Sequence, residues 1–250
     1  MNRRGSDKGL REERAVERSS QKLKRPRTSL HHLPEGKQEE IAWVRSLIFE
    51  EFARAISQRK AEGIRDGKIL KLILHGAYTS GAWVDDPAGA YFADFEFLVV
   101  VSNDRLADVG EFWSDCERKL LFAAADRVNL RTQVRLSIQS IDAINGQIEQ
   151  GTPYFKDILE RGVLLHDTPE HPFSQYSAPR SEDLEADAEL HLEEGMALLE
   201  EFLGSAKLSI ANRWCRKAAF DLHQATERLY NIVLLVFTGY TPHTHNLVQL

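Results

Sequence analysis

Two short apolar runs dominate the hydrophobic pattern of this chain. The first covers Leu70 to Leu74 and stops at His75-Gly76; the second covers Phe95 to Val101 and opens with Asp94-Phe95-Glu96. Both have the length and β-branched content of buried strands. Ahead of them, Ile41, Val44, Ile48, Phe52 and Ile56 recur at steps of three and four. That spacing predicts an amphipathic helix, ending before Gly63, that packs on a sheet. Beyond the second run, Arg105 to Leu121 reads as a helix with Leu106, Val109, Phe112, Trp113, Cys116 and Leu120 on one face. A strand from Val134 to Ile138 follows, then a helix from Ile141 to Gln150 closed by Gly151. Pro153 opens a short helix, Tyr154 to Arg161, which Gly162 ends, and Val163 to Leu165 can add an edge strand. This alternation predicts an α/β (α+β) domain, a mixed sheet flanked by helices.

The pattern changes after that. Thr168 to Pro179 carries prolines and little periodicity, as a linker does. Leu184, Ala188, Leu192, Met196, Leu199 and Leu203 then form an i, i+4 ridge that Gly204 should end. A longer helix carries Trp214, Ala218, Leu222, Ala225, Leu229, Ile232 and Val236 and stops at Gly239. Two antiparallel helices are expected to bury these stripes against each other. The organisation read from the sequence is a tail over 1–34, an α/β domain over 35–167, a linker over 168–180 and a helical domain over 181–250.

Charge separates the tail from the rest. The chain as a whole is weakly acidic, with a formal net charge of -6. Residues 1–34 nevertheless carry Arg3, Arg4, Lys8, Arg11, Arg14, Arg18, Lys22, Lys24, Arg25 and Arg27 with few apolar residues between them. Such a segment buries too little surface to offset its ordering entropy and is expected to be disordered or a frayed helix. It has the charge to follow phosphates on a nucleic acid. The plainer reading is a solubilising tail, or residues upstream of the true start. Cys116 and Cys215 lie far apart with no second ligand beside either, as reduced thiols do. No apolar stretch reaches membrane-spanning length and the N-terminus is polar, so a cytoplasmic protein is expected.

The chemistry concentrates around the two central runs. Side chains alternate along a strand, so Asp94 and Glu96 point one way while Phe95 and Phe97 point the other. Two carboxylates side by side at the mouth of an apolar sheet repel and cost desolvation, and a divalent cation is the usual reason to keep them. Gly76-Ala77 follows the first strand. A glycine there lets backbone approach a ligand closely, and a helix starting there aims its free N–H groups at a phosphate; a simple tight turn is the alternative. His243 and His245 have no third ligand near them and read as structural, as does His223.

These residues carry a resemblance. Gly76-Ala77, a variable turn and Asp94-Phe95-Glu96 at the head of a strand resemble the signature of DNA polymerase beta-like nucleotidyltransferases. Trp83 to Pro87 with Gly89 to Phe92, and Tyr154 to Ile158 through Gly162 to Asp167, resemble the prokaryotic members fused to a HEPN helical domain. Gln224 to Tyr230 is similar to the central HEPN helix, and Pro242 to Leu247 to the turn that follows it. The resemblance implies that Asp94 and Glu96 are catalytic and hold two magnesium ions, which bridge the triphosphate and activate the attacking oxygen. It implies that Gly76 and Ala77, with Thr79 and Ser80 nearby, bind the phosphates of ATP or another nucleoside triphosphate. It further implies a homodimer through the HEPN-like helices and a protein or small-molecule acceptor. With only about one turn of a third helix before Leu250, the HEPN-like domain is expected to be partial, whether truncated or completed by another subunit.

Three positions depart from that signature. Ala77 stands where serine is usual, Glu96 stands where aspartate is commoner, and no third carboxylate is evident. The strand at Val134 to Ile138 carries Arg135 where an acid would be useful; an arginine can contact phosphate but cannot activate a hydroxyl. Two functions therefore follow. One is magnesium-dependent transfer of a nucleotide, most simply AMP from ATP, within a toxin–antitoxin system. The other is a catalytically degraded nucleotidyltransferase/HEPN protein that binds a nucleotide or partner as an antitoxin-like regulator.

Overall fold

The computed structural model describes residues 19–21, 26–57, 59, 64–80, 83–86, 91–127 and 129–241. Most of the basic tail, Gly63, the Pro87 to Ala90 turn and the His243 and His245 pair lie outside them. The described residues form two compact units. One comprises 23–148 and 155–174; the other combines 149–154 with 175–241 and the short strand at 19–21.

The first unit is built on a mixed four-stranded sheet. Strands β2 (Ile69–His75), β5 (Phe95–Val101), β6 (Val134–Ser140) and β7 (Val163–Asp167) take the order β6-β5-β2-β7. β2 runs antiparallel to both neighbours and β5 runs parallel to β6. The two apolar runs are thus the central strands, fully buried but for Glu96. One sheet face presents Leu72, Leu74, Phe95, Phe97, Val99 and Val101 to α1 (Glu35–Ser57) and α3 (Ser114–Asp126). Ile41, Val44, Ile48 and Phe52 fill the α1 side of that core, as their spacing predicts. Each such buried side chain contributes about 2 kcal/mol of transfer free energy. Alternation places Ile73, Leu98 and Val100 on the opposite face, where they are equally buried.

Charged residues tie the layers together. Glu51 on α1 accepts hydrogen bonds from Arg54 at 2.6 Å and from Lys119 on α3 at 2.8 Å. Burial pushes the Glu51 carboxyl up, but Lys119 and Arg54 outweigh it and hold the group ionised. Lys71 on β2 pairs with Asp167 on β7 at 2.5 Å.

Two sequence expectations are revised in this unit. The helix expected over Arg105 to Leu121 is interrupted: α2 (Asp104–Asp108) ends, a 3₁₀ turn spans Gly110–Phe112, and α3 begins at Ser114. The indole Nε1 of Trp113 takes the carbonyl of Leu106 at 2.7 Å, so that carbonyl is lost to helix propagation. Residues 26–34, read as tail, pack on the sheet. Arg27 bridges Val163 in parallel, and Leu33 is buried in the core. Beyond Trp83, β3 (Asp85–Asp86) pairs antiparallel with β4 (Tyr91–Phe92).

The second unit is a helical hairpin, α6 (Ser181–Ala211) and α7 (Cys215–Thr238). Helix α6 continues through Gly204, because a lone glycine inside a helix costs only about 1 kcal/mol. Gly239 ends α7 in the left-handed conformation, as expected. Gly195 gives Ile232 room to approach, where any β-carbon would meet its Cδ1 at 2.9 Å. Leu199, Ala225 and Ile232 form the hairpin's small core. Asp221 is buried in the same seam, accepting from Ser205 at 2.8 Å and Ser209 at 3.4 Å and pairing with Lys217. The leucine ridge is mostly uncovered: Leu184, Leu192, Met196 and Leu203 are exposed, with only Leu199 buried. One neighbouring helix covers one stripe, which leaves the remaining apolar positions outward. In the same unit β1 (Ser19–Gln21) pairs antiparallel with β8 (Tyr176–Ala178), inside the stretch read as linker. Short helices α4 (Ile141–Gln150) and α5 (Pro153–Arg161) lead from β6 to β7. Among the described residues no helix is long and apolar enough to cross a membrane.

Candidate functional site

The residues singled out from the sequence meet at one end of the sheet. β2 finishes at His75, and the chain turns through Gly76–Thr79. β5 starts beside it, with His75 opposite Glu96 in the antiparallel register. β6 starts on the other side of β5, with Arg135 opposite Glu96 in the parallel register. Asp94 immediately precedes β5. Backbone pairing therefore fixes His75, Glu96 and Arg135 across three adjacent strands, with Asp94 next to them.

The turn differs from the expected helix start. Gly76–Thr79 is a single 3₁₀ turn, so it lacks the summed dipole of a helix N-terminus. Gly76 has φ of +74°, a conformation glycine adopts freely. The Glu96 carboxylate lies directly over it: a β-carbon at Gly76 would come within 2.6 Å of the Glu96 carboxyl carbon. Thr79 and Ser80 spend their hydroxyls on the turn itself. Thr79 Oγ1 donates to the Gly76 carbonyl at 2.8 Å, and Ser80 Oγ donates to the Ala77 carbonyl at 3.3 Å. Ala77 is half-buried and offers no hydroxyl. Tyr78 is buried, stacked on Trp83 with ring centres 5.2 Å apart and packed against Phe95 at 4.5 Å.

The electrostatics of the acidic pair are set by its neighbours. Arg135 Nε donates to Asp94 Oδ2 at 2.6 Å, a charge-assisted hydrogen bond. Burial pushes the Glu96 carboxyl above its ordinary range; Arg135 pulls it back and Asp94 adds to the rise. His75 Nδ1 lies 3.8 Å from Glu96 Oε2, and burial lowers its pKa to about 4, so the imidazole is neutral at physiological pH. A neutral histidine cannot supply a counter-charge to Glu96. Arg135 is the cation that serves both carboxylates.

The implied magnesium can be tested against this donor set. Magnesium favours ionised oxygen ligands in octahedral array. Here the Asp94 carboxylate is already paired with the Arg135 guanidinium at 2.6 Å. Among the described residues, no group of three or more His, Cys, Asp and Glu side chains is placed to hold a metal ion. The described residues do not fit the metal: a guanidinium, not a third acid, stands beside the pair.

Sequence reasoning found Gly76, Asp94, Glu96 and Arg135 but missed two contributors. His75 was read only as the end of a strand; its place beside Glu96 follows from the register of β2 and β5, which no local pattern encodes. Residues 26–34 were read as tail, yet they hold the turn. Arg27 donates to the carbonyls of Thr79 and, at 3.2 Å, Arg161, and His32 Nε2 donates to the Tyr78 carbonyl at 2.8 Å. Their signal was faint, a Leu30 and a Leu33 among charged residues. Compared with protein-family models the chain matches none, and no curated protein matches it either.

Proposed function

We propose that the chain is a regulator built on a nucleotidyltransferase-like domain of the DNA polymerase beta type and a partial HEPN-like hairpin. It binds a nucleotide or a protein partner without turning it over. The observation that carries this reading is the ion pair of Arg135 with Asp94. Nucleotidyl transfer needs a carboxylate to activate the attacking oxygen and a metal to neutralise the triphosphate. A guanidinium held at the acidic pair removes one carboxylate from that work and cannot accept a proton.

The convergence of Gly76, Asp94 and Glu96 at adjoining strand ends supports the shared ancestry of the site and favours a second reading, an active nucleotidyltransferase. The hairpin supports the partner side of the proposal. Leu208, Ile210, Trp214, Phe220 and Phe237 are all more than half exposed, a surface suited to association with a second copy of the chain.

A pyrophosphate-release assay with each of the four nucleoside triphosphates and magnesium separates the two readings. The regulator reading expects release no faster than buffer. Magnesium-dependent release that is lost in the Asp94→Ala, Glu96→Ala double variant overturns it.

A further inference from the structure

We infer that Arg135 is a resident counter-cation that excludes divalent metal from the Asp94–Glu96 pair and leaves its own free edge to receive an anionic, phosphate-bearing ligand. The inference goes beyond the regulator reading, because it concerns which charge the site accepts and holds whether or not a nucleotide is the ligand.

Three observations carry it. First, the position is built in. Arg135 lies on β6 opposite Glu96 on β5, and residues opposite one another in a ladder share a face, so both side chains rise on the same side of the sheet. The β5–β6 ladder holds the Arg135 backbone in register with Glu96. Second, the guanidinium is engaged on one edge only. Nε is committed to Asp94, while among the described residues the two Nη groups make no hydrogen bond. The Arg135 side chain is 45% exposed, so a ligand in solvent can reach it. A guanidinium presents its N–H groups in a planar fork that matches a phosphate, and one edge remains for that role. Third, among the described residues no other side chain joins Asp94 and Glu96 as a metal ligand, so Arg135 decides which charge the pair accepts. The His75 imidazole is buried, and the described residues offer no further acid to complete a ligand set.

A divalent ion entering this site would have to displace a 2.6 Å ion pair and sit beside the displaced cation. It would gain two carboxylates at most. Removing the arginine should therefore uncover a metal site that the protein keeps closed. A phosphate meets the opposite situation: Asp94 is already neutralised, and the outer edge of the guanidinium is available.

The test is binding of manganese, read by the loss of its free-ion electron paramagnetic resonance signal, to the full chain and to Asp94→Ala, Arg135→Gln, Arg135→Lys and the Asp94→Ala, Arg135→Gln double variant. Circular dichroism melting accompanies each to establish folding. The expected result is weak binding by wild type and Arg135→Lys, and at least about tenfold tighter binding by Arg135→Gln that Asp94→Ala removes. Two results overturn the inference. One is an Arg135→Gln chain that is folded yet binds manganese no better than wild type. The other needs no Arg135 variant: wild type that binds manganese at micromolar affinity and loses it on Asp94→Ala.

Discussion

The Glu96 carboxylate fills the space that a side chain at Gly76 would need: a β-carbon there would lie 2.6 Å from the Glu96 carboxyl carbon, and the φ of Gly76 is +74°. Gly76→Ala thus carries two penalties, a strained backbone and a displaced carboxylate. We expect a loss of about 1–3 kcal/mol in urea unfolding. In the Glu96→Ala background the steric share disappears and only the backbone share remains. The cost should fall there, and a double-mutant cycle reads the difference.

Stability should depend on pH through His75. Its pKa is lowered by burial from 6.5 to about 4, so the folded chain refuses a proton that the unfolded chain accepts. The stabilisation is present in full above pH 6.5 and is lost as pH falls toward 4, amounting to about 3 kcal/mol over the window. Glu96 acts with the opposite sign. Its raised pKa favours the neutral folded form, a contribution present below the ordinary carboxyl value of 4.5 and lost as pH rises. Because His166, Glu51 and Glu117 also carry shifted pKa values, the histidine is read as the difference between urea-midpoint profiles with and without His75, both in a Glu96→Gln background. Replacing His75 with Gln there should reduce the loss of stability between pH 6.5 and 4 by about 3 kcal/mol.

The two thiols should behave differently. Cys116 is buried in the α1–α3 core, and burial, with Glu51 and Glu117 adding to it, pushes its pKa up to about 12. Cys215 is exposed at the start of α7. Ellman's reagent at pH 8 should modify Cys215 in the native chain and reach Cys116 only on unfolding, because the thiolate is the reactive form. Rapid native modification of both would contradict this packing.

Trp113 holds the break between α2 and α3 by donating to the Leu106 carbonyl at 2.7 Å inside the core. Trp113→Phe keeps the ring and leaves that carbonyl without its donor. We expect a cost of about 1–3 kcal/mol, read by chemical denaturation. The stacking of Trp113 on Phe52, with ring centres 5.2 Å apart, survives in that variant.

What was legible in the sequence was what local periodicity encodes. The central strands, the α1 stripe from Ile41 to Phe52 and the Gly239 stop all follow from residue spacing, because burial selects residues one face at a time. The site was legible as far as residue types allow: Gly76, Asp94, Glu96 and the anomalous Arg135. What escaped were relationships set by pairing between distant segments. Nothing around His75 says that it will stand beside Glu96, since that depends on strand register. Nothing around Arg27 says that it will reach the Thr79 carbonyl, since a basic residue in a polar stretch looks like any other. The α2–α3 break escaped because a side chain, Trp113, overrode a continuous helical pattern. Gly204 misled in the reverse direction, a helix breaker by propensity that the hairpin tolerates.

The central claim, that a guanidinium replaces the metal at the acidic pair, is tested most directly by calorimetric titration of ATP. The titration is run in magnesium and in EDTA, on wild type and on the Asp94→Ala, Glu96→Ala double variant. The account predicts that wild type binds ATP with affinities that agree within about threefold in the two buffers. Binding that appears only with magnesium and vanishes in the double variant would contradict it.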